Sequence, residues 1–177
     1  MGKDIHIRVA KYDTNTNLYK EIELFRKATN DEIDYQEDIN GFKKVYIDVG
    51  RHSEMFEGMK DGDENDGYGH FPWTSINYAS LEPSFAESIK EKVGIDGYYD
   101  FYEINLSDFK LYLKNHPTVT DYDTDWGEDW KYGDPTPKKE NPLKYMLEQI
   151  ESYISVADWE YGWNPSSHYK VIFYFDC

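Results

Sequence analysis

The residues best suited to chemistry come first in the chain. Asp4 and His6 stand two apart in the alternating run Asp4-Ile5-His6-Ile7-Arg8-Val9, and residues two apart on a strand share a face. A carboxylate beside an imidazole suits acid–base work, because it fixes the tautomer and raises the basicity of the ring. Arg51 and His52 follow a later strand-like run, and His70 precedes Phe71-Pro72-Trp73. Joined by a divalent metal, Asp4, His6, Arg51 and His70 would serve phosphoester hydrolysis. Arg8 or Arg51 beside Tyr or Trp rings would instead hold a nucleotide signal. Convergence of these residues in a pocket favours both readings. The plainer alternative leaves Asp4 and His6 on the polar face of an edge strand.

Two acidic stretches echo each other. Asp61, Asp63 and Asn65 precede Gly67, and Asp121, Asp123 and Asp125 precede Gly127. A calcium loop of the EF-hand kind needs glycine at its sixth position and a bidentate Glu at its twelfth. Here glycine falls at the seventh place, and the twelfth residues are Pro72 and Tyr132. Both stretches fail where the geometry is strictest, so no metal or other cofactor is expected. The second stretch also holds Trp126, Glu128, Asp129 and Trp130. Carboxylates interleaved with rings suit the guanidinium groups of a basic partner. The candidate partner-binding residues are therefore Asp61, Asp63, Asp66, Asp121, Asp123, Asp125, Trp126, Glu128, Asp129 and Trp130. The segments G-x-G-x-x-G, Walker loop, G-x-S-x-G and H-E-x-x-H are all missing, which leans the reading away from catalysis.

The whole chain points the same way. Nineteen Lys and Arg stand against 35 Asp and Glu over 177 residues, a formal charge of -16. Such a field repels polyphosphate and draws in cations, and no basic stripe offers a nucleic-acid footprint. Mean hydropathy is -0.85, yet 18% of residues are aromatic and 17 are Tyr. That combination describes a folded domain with a wet exterior, since disordered acidic chains are poor in rings. Cys177 is the single cysteine, so no internal disulfide forms. The opening lacks the apolar core of a signal peptide, and the expected location is the cytosol.

Periodicity supplies the elements that must position these groups. Residues 4–12 and 18–25 alternate around the turn-forming run Asp13-Thr14-Asn15-Thr16-Asn17, which predicts a hairpin, and residues 42–49 predict a third strand. Met55, Phe56 and Met59 predict a helix opening at His52 or Ser53. A second helix starts at Pro83, carries Phe85, Ala86, Ile89 and Val93, and stops at Gly94. A strand over 98–104 leads into a helix capped by Asn105 or Ser107. Residues 118–140 read as a long acidic loop. Asn141-Pro142 opens the longest helix, striped by Leu143, Met146, Leu147, Ile150, Ile154 and Ala157, and residues 169–175 form the last strand. The expected fold class is α+β, in one domain over 1–177, with an antiparallel or mixed sheet of about five strands and helices packed on one face.

Gly2-Lys3-Asp4-Ile5-His6 opening a strand resembles a set of small bacteriophage and prophage proteins of unassigned function that begin Gly-x-Asp-Ile-His. Many continue with Arg-x-x-x-x-Phe, present here as Arg51-His52-Ser53-Glu54-Met55-Phe56. A later aromatic strand entering a Leu-rich helix corresponds to residues 98–113. The resemblance touches roughly a third of the chain, on short motifs. Members of the set often carry a His in that later strand, where this chain has Tyr99 and Asp100. The resemblance implies a phage origin. Together with the charge and the acidic loops, it leads to the expectation of a phage accessory protein acting as a non-catalytic, anti-CRISPR-like inhibitor. Its expected partner is a basic host defence factor that handles nucleic acid, met in the host cytosol, with no direct nucleic-acid or membrane contact.

Overall fold

A computed structural model describes residues 4–27, 42–45, 47, 49–121, 136–158 and 168–176. The hairpin forms, with its second strand ending at Glu21 rather than at residue 25: β1 (Asp4–Asp13) pairs antiparallel with β2 (Leu18–Glu21). Asn17 takes the positive φ of 56° in the turn, a conformation Asn tolerates well. β3 (Leu24–Lys27) pairs with β4 (Phe42–Val45) as a separate ribbon. Among the described residues four α-helices follow in order: α1 (Ser53–Asp61), α2 (Pro83–Val93), α3 (Leu106–Asn115) and α4 (Leu143–Asp158). Between them lie β5 (Thr74–Ser75), β6 (Tyr98–Asn105), β7 (Thr118–Thr120) and β8 (Lys138–Glu140). β9 (Tyr169–Asp176) closes the chain's fold.

The expected α+β class is what forms: a five-stranded antiparallel sheet in the order β2-β1-β9-β6-β5. The last strand in sequence is the middle one in space. Alternation along β9 divides the core. Tyr169, Val171, Phe173 and Phe175 join the larger cluster with Met55, Phe109 and Ile150, from α1, α3 and α4. Ile172 points the other way, onto Phe85, Ala86 and Ile89 of α2. Three helices thus cover one face and α2 covers the other, rather than all lying on one face as expected, so β9 is buried from Tyr169 through Phe175. Burial on both faces is what makes a strand read as a nearly unbroken apolar run.

Two expectations are refined. Val93, assigned to the buried stripe of α2, is 51% exposed; the helix stays on the sheet only through Ile89. The stretch 118–140 is not loop throughout, because β7 and β8 pair at its two ends. No helix among the described residues is long and apolar enough to cross a membrane.

The ladder between β6 and β9 is interrupted once. Tyr99 pairs with Phe175 and Tyr102 with Phe173, so two residues oppose Tyr174 alone. Asp100 is the extra residue, with φ at 53° and its carboxylate bonded to Lys60 of α1. Such a bulge resets which side chain faces which way. It turns Phe101 onto the α2 face, where it meets Tyr174.

Candidate functional site

A groove of about 750 Å³ runs along the outer edge of β1. β2 pairs with β1 only from Ala10 to Asp13. Before that, the described neighbours of the edge are the Ile22 amide on the Val9 carbonyl and a bridge from Arg51 to Asp4. Asp4, His6 and Arg8 lie on the α2 side of the strand, as alternation predicts.

His6 stands directly opposite Tyr174 in the ladder. Their rings stack at 4.9 Å and 9°, and Phe101 stacks on the far face of Tyr174 at 5.3 Å and 13°. Ring spacing near that of adjacent strands is what cross-strand neighbours produce. His6 is the last ring of this three-strand stack, and its side chain remains 34% exposed. Tyr98 closes the corner, tilted at 5.5 Å from His6, with the Lys92 ammonium 5.1 Å over its own ring.

Ion pairs hold the groove's floor. Arg8 donates twice to Glu21, at 2.7 and 2.6 Å, once to Ser88, and lies over the Phe85 ring at 4.9 Å. Burial opposes its charge, but the Glu21 carboxylate more than offsets this and raises the guanidinium above its ordinary pKa. Asp4 faces Asp176 across the ladder, a like-charge pairing that costs stability unless each is neutralised. Arg51 donates to Asp4 at 2.7 Å and offsets its charge, and His6 Nε2 lies within hydrogen-bond reach of Asp176, at 2.9 Å. The hydrogen bond from Arg51 holds the Asp4 carboxyl below its usual range. Burial pushes the Tyr174 hydroxyl up.

The sequence-derived candidates separate clearly. Asp4 and His6 line the groove and Arg51 borders it. His70 does not line it and is exposed elsewhere. Asp4 is committed to Arg51 and His6 to Asp176, and among the described residues no three His, Cys, Asp or Glu stand together to hold a metal. The metal-dependent phosphoester reading gains no donor set here.

The first acidic stretch turns out to be an architectural turn. Asp63 Oδ1 accepts the amides of Asn65 and Asp66, at 2.7 and 3.1 Å. Asp66 Oδ1 accepts those of Asp63 and Tyr68, at 3.1 and 2.8 Å. Side-chain oxygens bonded to nearby amides are the ordinary turn use of Asp. Asp61 is exposed at the end of α1. Asp121 follows β7 and its amide bonds to Pro137. Asp123, Asp125, Trp126, Glu128, Asp129 and Trp130 lie outside the described residues.

Sequence reading missed the partners. Tyr174 and Asp176 were visible as alternate residues of the last strand, on one face with Lys170. Glu21, Glu91, Lys92 and Tyr98 had no such signal. Also missed was a buried pair on the α2 face: Lys170 lies 3.0 Å from Glu103, bonds Ser80 and sits over Tyr19.

Fold and groove together define an α+β protein with an aromatic, ion-paired recess at a sheet edge. No protein-family model matches the chain, and no curated protein or solved structure matches it either.

Proposed function

We propose that this protein is a non-catalytic binder of a basic partner protein, and that the β1-edge groove is the centre of the contact. The observation that carries the reading is the groove's charge balance within a chain of formal charge -16. Asp4, Glu21 and Glu91, with Asp176 beside them, meet Arg8, Lys92 and Arg51, leaving one negative charge in excess when His6 is neutral. Phosphate would enter against both this excess and the surrounding field, whereas a cation is drawn in by both. Glu91 and Lys92 belong to the last turn of α2, and a helix C-terminus also favours positive charge.

The phage resemblance narrows the partner to a host defence factor that handles nucleic acid, whose basic channel is complementary to such a surface. Pull-down from bacterial lysate at low and high salt tests this. A nucleic-acid-binding protein captured at low salt, released at high salt, and lost with Glu91→Lys but kept with Asp61→Lys is the expected result. Recovery of none, or equal loss with both variants, overturns the reading.

The acidic stretch carrying Trp126 and Trp130 supplies a second contact on this reading. What favours it is the β7–β8 ladder, which brings the ends of that stretch together.

A further inference from the structure

We infer that the group seated in the groove is an arginine side chain of the partner, its guanidinium stacked on His6 and paired with Glu91. This rests on the partner-binding reading above and specifies its chemistry.

The protein already contains the template. Arg8 lies over Phe85 while Glu21 takes its fork in two bonds. Lys170 lies over Tyr19 and pairs with Glu103; Lys60 lies over Phe56 and pairs with Asp100. In these three cases the cation has a ring beneath it and a carboxylate beside it. The groove offers both parts without their cation. His6 ends the ring stack with one face on Tyr174, and about a third of its side chain is open. Glu91 lines the same groove with no ion-pair partner among the described residues. A planar guanidinium continues the stack and presents a fork to the carboxylate; an ammonium does only the second.

One monovalent cation cancels the single excess negative charge, and a second would be in surplus. A recess of about 750 Å³ is in the range of ordinary ligand sites, and admits an arginine with the short backbone segment that carries it.

The experiment is calorimetric titration of the intact protein with the capped peptide Gly-Arg-Gly, its citrulline and lysine counterparts, and free L-arginine, with ring signals of His6 and Tyr98 followed by NMR. The arginine peptide is expected to bind and shift both rings. Citrulline, flat but uncharged, is expected to bind at least about tenfold more weakly, the scale of a lost charge-assisted hydrogen bond. Glu91→Gln and His6→Ala are expected to cause similar losses, while His6→Phe retains the stack and most of the affinity. Equal binding of citrulline, or no effect of Glu91→Gln, overturns the inference. Free arginine binding as tightly as the peptide overturns the docking role in favour of a small-molecule site. Capture of a basic protein that is indifferent to Glu91→Gln leaves partner binding standing and removes only the arginine.

Discussion

The β1 edge and the turn after α1 are both rich in acids, and they use them in opposite ways. At the edge, carboxylates meet Arg and His side chains from other elements: Asp4 takes Arg51, Glu21 takes Arg8, and Asp176 takes His6. In the turn, Asp63 and Asp66 accept amide protons from residues within three of themselves. The first arrangement depends on charge and leaves rings and Glu91 facing a recess. The second depends on an oxygen acceptor, and the bonds made by Asp63 and Asp66 go back into the turn itself. Counting acids therefore says little about where a partner binds; what the acids are bonded to says more.

If the turn is architectural, its glycines should tolerate nothing. A Cβ at Gly62 would collide with the Gly58 carbonyl and the Tyr68 side chain. Gly62→Ala is expected to cost about 3 kcal/mol, as overpacking against backbone does. Gly50, at the groove, has φ of 69° but only one carbon and one nitrogen of His52 near 3.9 Å, so Gly50→Ala should cost about 1 kcal/mol from backbone strain alone. Urea midpoints measure both. Equal losses would break the distinction between a rigid turn and a roomy edge.

The sequence was most legible where burial sets a period. The stripes Met55-Phe56-Met59 and Leu143 to Ile154 were visible because a helix face repeats, and β1 because Ile5, Ile7 and Val9 alternate with Asp4, His6 and Arg8. It was least legible where geometry joins distant residues. Nothing local marks Asp176 as the partner of His6, 170 residues away, nor Asp100 as the bulge that turns Phe101 toward Tyr174. The acidic turn was hard to read for a related reason: the ligand-like spacing of Asp61, Asp63 and Asn65 falls in a segment where Asp63 and Asp66 bond the turn's own amides. Val93 continued a stripe that the sheet does not reach.

A smaller effect separates charge from acceptor. Glu21→Gln keeps the shape but leaves Arg8 without its counter-ion in a site where both side chains are under a fifth exposed. Full burial would make that loss larger, and partial solvent access reduces it to about 2 kcal/mol. Asp66→Asn keeps the Oδ1 acceptor that two amides need, so it should cost about 0.5 kcal/mol or less, whereas Asp66→Ala removes it and costs about 1 to 2. Chemical denaturation of the three variants ranks them. An Asp66→Asn loss as large as Glu21→Gln would mean the turn also relies on charge.

The gentlest probe is pH, because the two regions titrate at opposite ends. Beside the turn, burial pushes the Tyr112 hydroxyl up to about 12, and Tyr68 rises by burial too. Between the unfolded tyrosine value near 10 and these raised values, the native state holds more protons, so stability falls as pH rises through that interval. At the groove, Arg51 lowers the Asp4 carboxyl below 3.8. The unfolded state then binds more protons in acid, so this contribution is complete above pH 3.8 and disappears as pH falls through the native value. Tyr112→Phe should flatten the alkaline limb of a stability–pH curve and leave the acid limb alone, while Asp4→Asn should do the reverse, and more weakly because Asp4 and Arg51 are solvent-screened. If Asp4→Asn moved the alkaline limb instead, the edge and the turn would be coupled through the sheet rather than independent.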